Sequence, residues 1–539
     1  MQSEEYRKLA SELKDNLSRL MERRSNFESH WQEVADYMLP RKADITKQRS
    51  RGDKRHTLIY DATAIHSLEL LASSLQGMLT SSANRWFSLR FKEAELNNND
   101  EAREWMESVI DKMYLAISRS NFQQEVFECY HDLIAFGTAC VMIEEDQEDI
   151  VKFSSRHIKE LYISENAKGF VDCIYRRFKM SAKAAVEKFG ADNVSKELLN
   201  LYKKSPFDEI DLVHVVKPRD IYNPRKLDKK NMPFTSIYFE METGHIISIG
   251  GFREFPYVIP RYLKASNEIY GRSPGMNALP DVKVLNKMVE IGLKAAQKQV
   301  DPPLLVPDDS MLLPIRMAPG SINYYRAGSR DRIETLNIGA NNPLGLNMEE
   351  QRRRAIAQAF HVDQLQITEN RTMTATEVQT RQEEKMRILG PVLGRLQSEL
   401  LQPMIIRIFN IMLRSNLFPE APEILDNQEI DVEYVSPMAL AQKGQELNGI
   451  MRGLELFGSI SQMAPQTLDY IDPAGLVKNI IKILGLPATM IRSDAQVQQI
   501  SEEKAQAQAQ QQEMMQAMQE SEVAKNAAPA ITAIGNAEQ

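Results

Sequence analysis

The sequence predicts an α+β protein that is predominantly α-helical, and three observations carry that expectation. The first is the run Thr374–Pro419, the longest continuous helical signal, in which Leu389, Leu393, Leu396, Leu400, Met404, Ile408 and Ile411 recur at steps of three and four and so share one face. The second is an N-terminal stripe of Leu9, Leu13, Leu17, Leu20, Phe27, Trp31 and Val34, which predicts a helix over residues 5–38 stopped by Pro40. The third is a middle region, from about 138 to 262, where the pattern changes to short strands bounded by turn residues.

Composition narrows the function. The 539 residues hold core for three or four domains, or for one interrupted subunit. A net charge of -8 with 26% charged residues argues against wholesale wrapping of nucleic acid, though an acidic protein can still guide DNA without gripping it. Cys129, Cys140 and Cys173 have no metal-like spacing and fit buried thiols in a reducing compartment. The start MQSEEYRKLASELK is charged and no apolar run approaches the ~18 residues of a membrane span, so a soluble, unexported protein is expected.

After the first helix, residues 41–56 carry seven Lys or Arg against two Asp and no apolar period. They form a loop, either solvated or in contact with DNA or an acidic partner. Asp61 caps a helix whose Ile65, Leu68, Leu71, Leu75 and Met78 share a face. Trp86 and Phe87 are expected in the core or at a subunit interface, because no basic residues interleave with them to make a base-stacking platform. Helices near 102–118 and 122–136 lead to a hairpin of TACVMIE and IVKFSS. The acidic run from Glu144 to Asp149 lacks the glycine and ligand spacing of a calcium loop and is expected to be a solvated turn. Strands ELYIS, FVDCIYRRFKM, DLVHVV, FTSIYFEM and HIISIG, with helices near 181–189 and 193–203, complete the region. No catalytic constellation stands out: the chain has no GxxxxGK loop, no HExxH and no Cys/His metal spacing, and no cofactor is expected.

From Ser273 to Val300 a helical wheel places Leu285, Val289, Gly292, Ala296 and Val300 within about 80° of one another, with Lys283, Lys287, Lys294 and Lys298 within about 60° on the opposite side. One face should pack, and the lysine stripe is either an ordinary solvated face or a functional one. DPP at 301–303 ends this helix, and proline-rich residues up to 345 with short strands suit a small excursion. A helix returns over 347–361, where Arg352, Arg353 and Arg354 spread over ~200° and cannot all point one way. The loop that follows carries Gln364, Gln366, Glu369, Asn370 and Arg371 among few apolar residues, and ends on a capping box of Thr374 and Glu377 with a staple of Met373 and Val378. The long helix should kink at Gly390-Pro391 and again near Pro403. A strand EIDVEYV, a helix opened by Ser436 and Pro437, and a second opened by Asp472 and Pro473 come next. The tail beyond Ser493 is rich in Ala, Gln and Met and is either helical or disordered.

The blocks MTATEV, LGPVLGRL, ELLQP and LFP along the long helix resemble the corresponding helix of bacteriophage portal proteins, in the head-to-tail connector family of short-tailed (podovirus) phages. Two further blocks share the resemblance, YDATAIHSLELLASSLQGMLTSSANRWFSL at 60–89 and FPYVIPRY followed by YGRSPGMNALPDVKVLN at 255–286. They occur in the family's order and cover most of residues 30–420, weakly between 95 and 250 and little after 490. The resemblance implies a portal fold assembled into a ring: wing 1–272, stem helices 273–300 and 347–361, clip 301–346, tunnel loop 362–373, long wing helix and return strand 374–435, crown 436–490 and tail 491–539. It also implies a non-enzymatic role at one capsid vertex of a virion assembled in the host bacterial cytoplasm. The implied partners are further copies of the chain, a dodecamer by resemblance, the terminase large subunit, major capsid and scaffolding proteins, neck or tail adaptors, and double-stranded DNA held without sequence preference. Alternatives are another virion component, such as a tail adaptor or internal head protein, and an enzyme of DNA metabolism.

Overall fold

A computed structural model describes residues 4–47, 50, 52–93, 95–223, 226, 228–300, 304–305, 334–335, 343–365, 387–425 and 430–434, with helical stretches between 447 and 458, 472 and 480, and 497 and 518. The chain divides into two units: Met1–Ser88, Met113–Leu417 and Tyr434–Met438 make the first, and Leu89–Lys112, Phe418–Glu433 and Ala439–Gln539 the second. Helix α1 (Glu4–Met38) forms from the N-terminal stripe and stops where Pro40, lacking an N–H, opens a short 3-10 turn. Helix α2 (Thr63–Leu79) buries Leu68, Leu71, Leu75 and Met78, and its entry is held by Asp61, whose Oδ1 accepts the Thr63 N–H at 2.9 Å. Strand β1 (Phe87–Phe91) is followed by helices α3 (Asp100–Arg119) and α4 (Phe122–Phe136). Trp86 and Phe87 are buried, stacked on Phe122 and Tyr114 respectively, so both are core residues.

The expected hairpin is β2 (Val141–Asp146) with β3 (Ile150–Ser155). Its acidic connection is a turn: Asp146 Oδ2 accepts the N–H groups of Glu148 and Asp149, and Ile150 takes a left-handed φ of 69°. Among the described residues no cluster of three or more His, Cys, Asp or Glu could hold a metal ion. Strands β4 (Leu161–Glu165), β5 (Val171–Ser181), β6 (Glu209–Pro218), β7 (Phe234–Glu240) and β8 (Ile246–Phe252) form one antiparallel sheet in sequence order. Alternation along β6 sends Val213 and Val215 against Leu13 and Leu17 of α1, and Leu212 to the other face. There it meets α5 (Ala182–Phe189) and α6 (Lys196–Lys204), whose starts are capped by the hydroxyls of Ser181 and Ser195. Strand β9 (Tyr257–Val258) extends the hairpin by pairing with β2.

Helix α7 (Pro274–Val300) is followed by strands β10 (Leu304–Leu305) and β11 (Glu334–Thr335), paired antiparallel, then by helix α8 (Pro343–Ala359) and the single turn α9 (Val362–Leu365). The returning helix thus starts at Pro343, four residues before the expected 347, because proline is favourable at a helix start. The capping box at Thr374 and Glu377 lies outside the described residues.

The long helix, α10, is helical from residue 387 through Gly390 and Pro391, passes through a π turn at Gln397–Leu401, and continues as Gln402–Arg414. The π turn falls where the expected second interruption lies, just before Pro403, and the apolar spacing accounts for it. Leu396, Leu400, Met404 and Ile408 are all buried, yet each four-residue step overshoots a 3.6-residue turn by about 40°. Three such steps would carry Ile408 about 120° away from the face of Leu396. A wider π turn takes up the overshoot and keeps all four on one side.

In the second unit β12 (Ile430–Tyr434) pairs with β1. Asn97 clasps Phe91 through both its N–H and its carbonyl, and the Trp105 indole N–H donates to the Pro419 carbonyl at 3.1 Å. Residues 497 and 499–512 are helical, whereas Ser436 and Pro437 lie outside the described residues.

Candidate functional site

The two antiparallel helices α7 and α8, with the turn α9, carry most of the candidate residues. The start of α7 is fixed by close backbone packing on the end of α4. Gly137 ends α4 in a left-handed conformation, φ 77°, and a Cβ there would lie 2.3 Å from the Gly271 carbonyl oxygen. A Cβ on Gly271 would lie 2.1 Å from the Gly137 carbonyl oxygen, so neither position admits a side chain. The Ser273 hydroxyl donates to the Ala135 carbonyl and accepts the Met276 N–H, capping α7. Farther along, the buried Asn286 accepts the N–H groups of Tyr60 and Asp61 at 2.7 and 3.1 Å and so ties α7 to the entry of α2.

The basic side chains divide among several partners. Lys283 pairs with Glu33 of α1 at 3.2 Å, while Lys287 and Lys294 lie on either side of Glu290, at 3.0 and 2.6 Å. Lys298 is exposed. Among the arginines, Arg352 reaches Asp281 of α7 at 2.6 Å, Arg353 reaches Asp61 at 3.0 Å, and Arg354 stays on its own helix beside Glu350 at 3.2 Å. Three directions for three consecutive residues agree with the ~200° spread. The expected packing face of α7 needs a correction. Leu285 is buried and Gly292 faces Glu349 of α8, but every residue from 291 to 300 is exposed, Val300 at 88%. Among the described residues α8 is the element that accompanies this stretch, and one neighbour cannot bury a helix. Of the loop residues, Gln364 lies in α9; Gln366, Glu369, Asn370 and Arg371 lie outside the described residues.

The basic loop is tied down by the chain itself. Arg41 pairs with Glu128, Lys42 with Asp132 and Glu128, Lys47 with Asp36, and Arg55 with Asp44. Burial would raise the Glu128 and Asp44 carboxyls, but Lys42 and Lys159 respectively overcome it and hold both below the usual carboxylate range.

Sequence reasoning missed a buried cation at the end of the FPYVIPRY block. Arg261 is 1% exposed and uses all five guanidinium N–H groups: on Glu399 of the π turn, on Glu165, and on the carbonyls of Gly169 and Ile269. Its backbone N–H also donates to Glu399 at 3.0 Å. Burial alone would lower its pKa; the Glu399 and Glu165 carboxylates reverse that and raise it. An arginine inside an apolar, strand-like segment was the available signal. Arg407 of α10 is likewise buried, donating to the Ile143 carbonyl and to Glu254, and burial lowers its pKa to about 10.

Comparison with known proteins supplies the context for this arrangement. A family described as "Bacteriophage head to tail connecting protein" matches residues 10–491. The portal protein of Salmonella phage epsilon15 is 32% identical over 499 residues, covering 91% of this chain and 90% of that protein. A probable portal protein of Bordetella phage BPP-1 is 31% identical over 494 residues, covering 89% and 88% respectively. The matches run through the sheet, the paired helices and α10 alike, and they place the chain in a family: it belongs to the bacteriophage head to tail connecting proteins.

Proposed function

We propose that the chain is the portal subunit of a phage virion, placed at one vertex of the capsid and acting as a structural component. Twelve copies close into a ring through head-to-tail contacts, and double-stranded DNA passes through the axial hole on packaging and on ejection. The terminase large subunit docks during packaging, neck or tail adaptors dock afterwards, and capsid and scaffolding proteins surround the ring. Residues 273–300 and 347–361 serve as stem, 301–346 as clip, 362–373 as the loop that meets DNA, and 436–490 as crown.

The observation that carries the ring is the exposed end of α7. Ile291, Leu293 and Val300 stand in solvent on a helix whose first half is buried, and a second copy of the same helix pair is the neighbour that would cover them. The charges support a conduit that reads no bases. Lys287 and Lys294 are partly balanced by Glu290, and a moving duplex gives no fixed register for groove contacts. Native mass spectrometry with negative-stain imaging tests the reading: a closed oligomer with an axial hole is expected, and monomer alone under all conditions contradicts it.

A further inference from the structure

Helix α10 holds one residue more than an α-helix with its buried face requires, and the surplus sits in the π turn Gln397–Leu401, closed by the Gln402 N–H on the Gln397 carbonyl. Glu399 lies within that turn. Its carboxylate accepts the Arg261 backbone N–H and Nε–H at 3.0 and 2.9 Å and an Nη2–H at 2.8 Å, with Arg395 adding a contact at 2.9 Å. Arg261 bridges by its backbone to Thr138, beside the close approach of Gly137 and Gly271 from which α7 departs. The irregular turn of the long helix is therefore fastened, through one buried guanidinium, to the root of the first paired helix.

We propose that the π turn is a reserve of one residue of length in α10, latched by the contact between Glu399 and Arg261. A π turn is rare because its geometry is less favourable than the α-helix, so an outside contact is needed to fix where it sits. With the latch closed, the half of α10 before residue 397 is held in register with α7. With the latch open, the surplus residue passes along the helix and that half advances by about 1.5 Å, one residue's rise. The passage also turns that half by about 100°, one residue's rotation, so Leu396 leaves the face it shares with Met404 and Ile408. The purpose of such an advance, shifting the segment that leads into α10, rests on the portal reading; the latch itself does not.

Hydrogen exchange on the purified full-length chain tests the latch. In Glu399→Gln the backbone N–H groups of residues 397–402, 404 and 405 are expected to exchange at least tenfold faster than in the native chain, with those of β5, β6 and β7 unchanged. Arg261→Lys, which keeps the charge but loses the planar fork, is expected to behave the same way. Native exchange rates in α10 of both variants would overturn the proposal. Deleting Ser398, exposed in the turn, removes the surplus while sparing the buried face. The expected result is an assembly of native mass with at least tenfold fewer DNA-filled heads; a native yield of filled heads would overturn the proposal, and should the deletion not fold, the exchange rates of the two substitutions decide. Failure of the native chain to form any ring would count against the portal reading and leave the exchange result standing.

Discussion

The two halves of α7 carry similar apolar side chains and meet opposite surroundings. Met276, Leu279, Val282 and Leu285 are buried against the rest of the chain, whereas Ile291, Leu293 and Val300 are exposed. The local pattern does not separate them: Leu293 and Val300, seven residues apart, share a face as Val282 and Leu285 do, while Ile291 lies on the lysine side. The difference is that, among the described residues, α1, α4 and the segment entering α2 surround the first half, and α8 is the element beside the second. Burial in the first half is a property of one subunit, and burial in the second belongs to the assembly. Substitutions in the two halves should therefore fail in different assays.

The largest effect is expected at the root of α7. Gly271→Ala places a methyl group against the Gly137 carbonyl, an overlap that only backbone movement relieves, and should destabilise the folded chain by about 3 kcal/mol or more. A denaturant midpoint equal to that of the native chain would mean that the root is not pinned.

Acidification comes next, and it also acts on the buried region. His214 is held between the Tyr257 hydroxyl and the Ser236 hydroxyl, stacked on Tyr238, and burial together with Arg176 keeps its pKa well below 6.5. The unfolded chain takes up the proton more readily, so stability is complete above about pH 6.5 and falls below it, by up to about 1.4 kcal/mol per pH unit for this residue. Asp44 and Glu128, lowered by their lysine partners against the effect of burial, add a loss of the same sign as pH falls through their lowered values. His214→Gln should flatten the decline of melting temperature between pH 6.5 and 5.5. A decline of native steepness would assign it to other groups.

At the exposed end the stability effect should be small and the assembly effect decisive. Leu293→Ser is expected to change subunit stability by no more than about 0.5 kcal/mol while weakening ring formation. Rings of native yield and mass would break the contrast between the halves. The smallest effect is expected from replacing Lys283, Lys287, Lys294 and Lys298 together by Gln, which should leave assembly intact and alter DNA retention in a salt-dependent way if these side chains line the channel. Intact DNA handling with lost motor docking would place the stripe on the outer surface.

Much of the fold was legible from pattern. All five strands of the main sheet, the hairpin and its acidic turn, and helices α1 to α4 lie close to where period and turn residues put them. What stayed hidden depends on residues far apart in the chain. Arg261 and Glu399 are 138 positions apart, and no local rule pairs them. The four-residue spacing of Leu396, Leu400, Met404 and Ile408 did hold the signal for the π turn, but it fits the ordinary description of steps of three and four unless the drift is added up. The stem reading of Lys283 shows the reverse limit. Its place on a polar face was evident, yet its partner Glu33 comes from α1.

Burial of the second half of α7 between copies of the chain is open to direct measurement. A single cysteine at position 293, with Cys129, Cys140 and Cys173 replaced by Ala or Ser, can be labelled by a maleimide in dissociated subunits and in assembled particles. The expected result is rapid labelling of the subunit and labelling at least tenfold slower in the assembly; equal rates in the two states would contradict the claim.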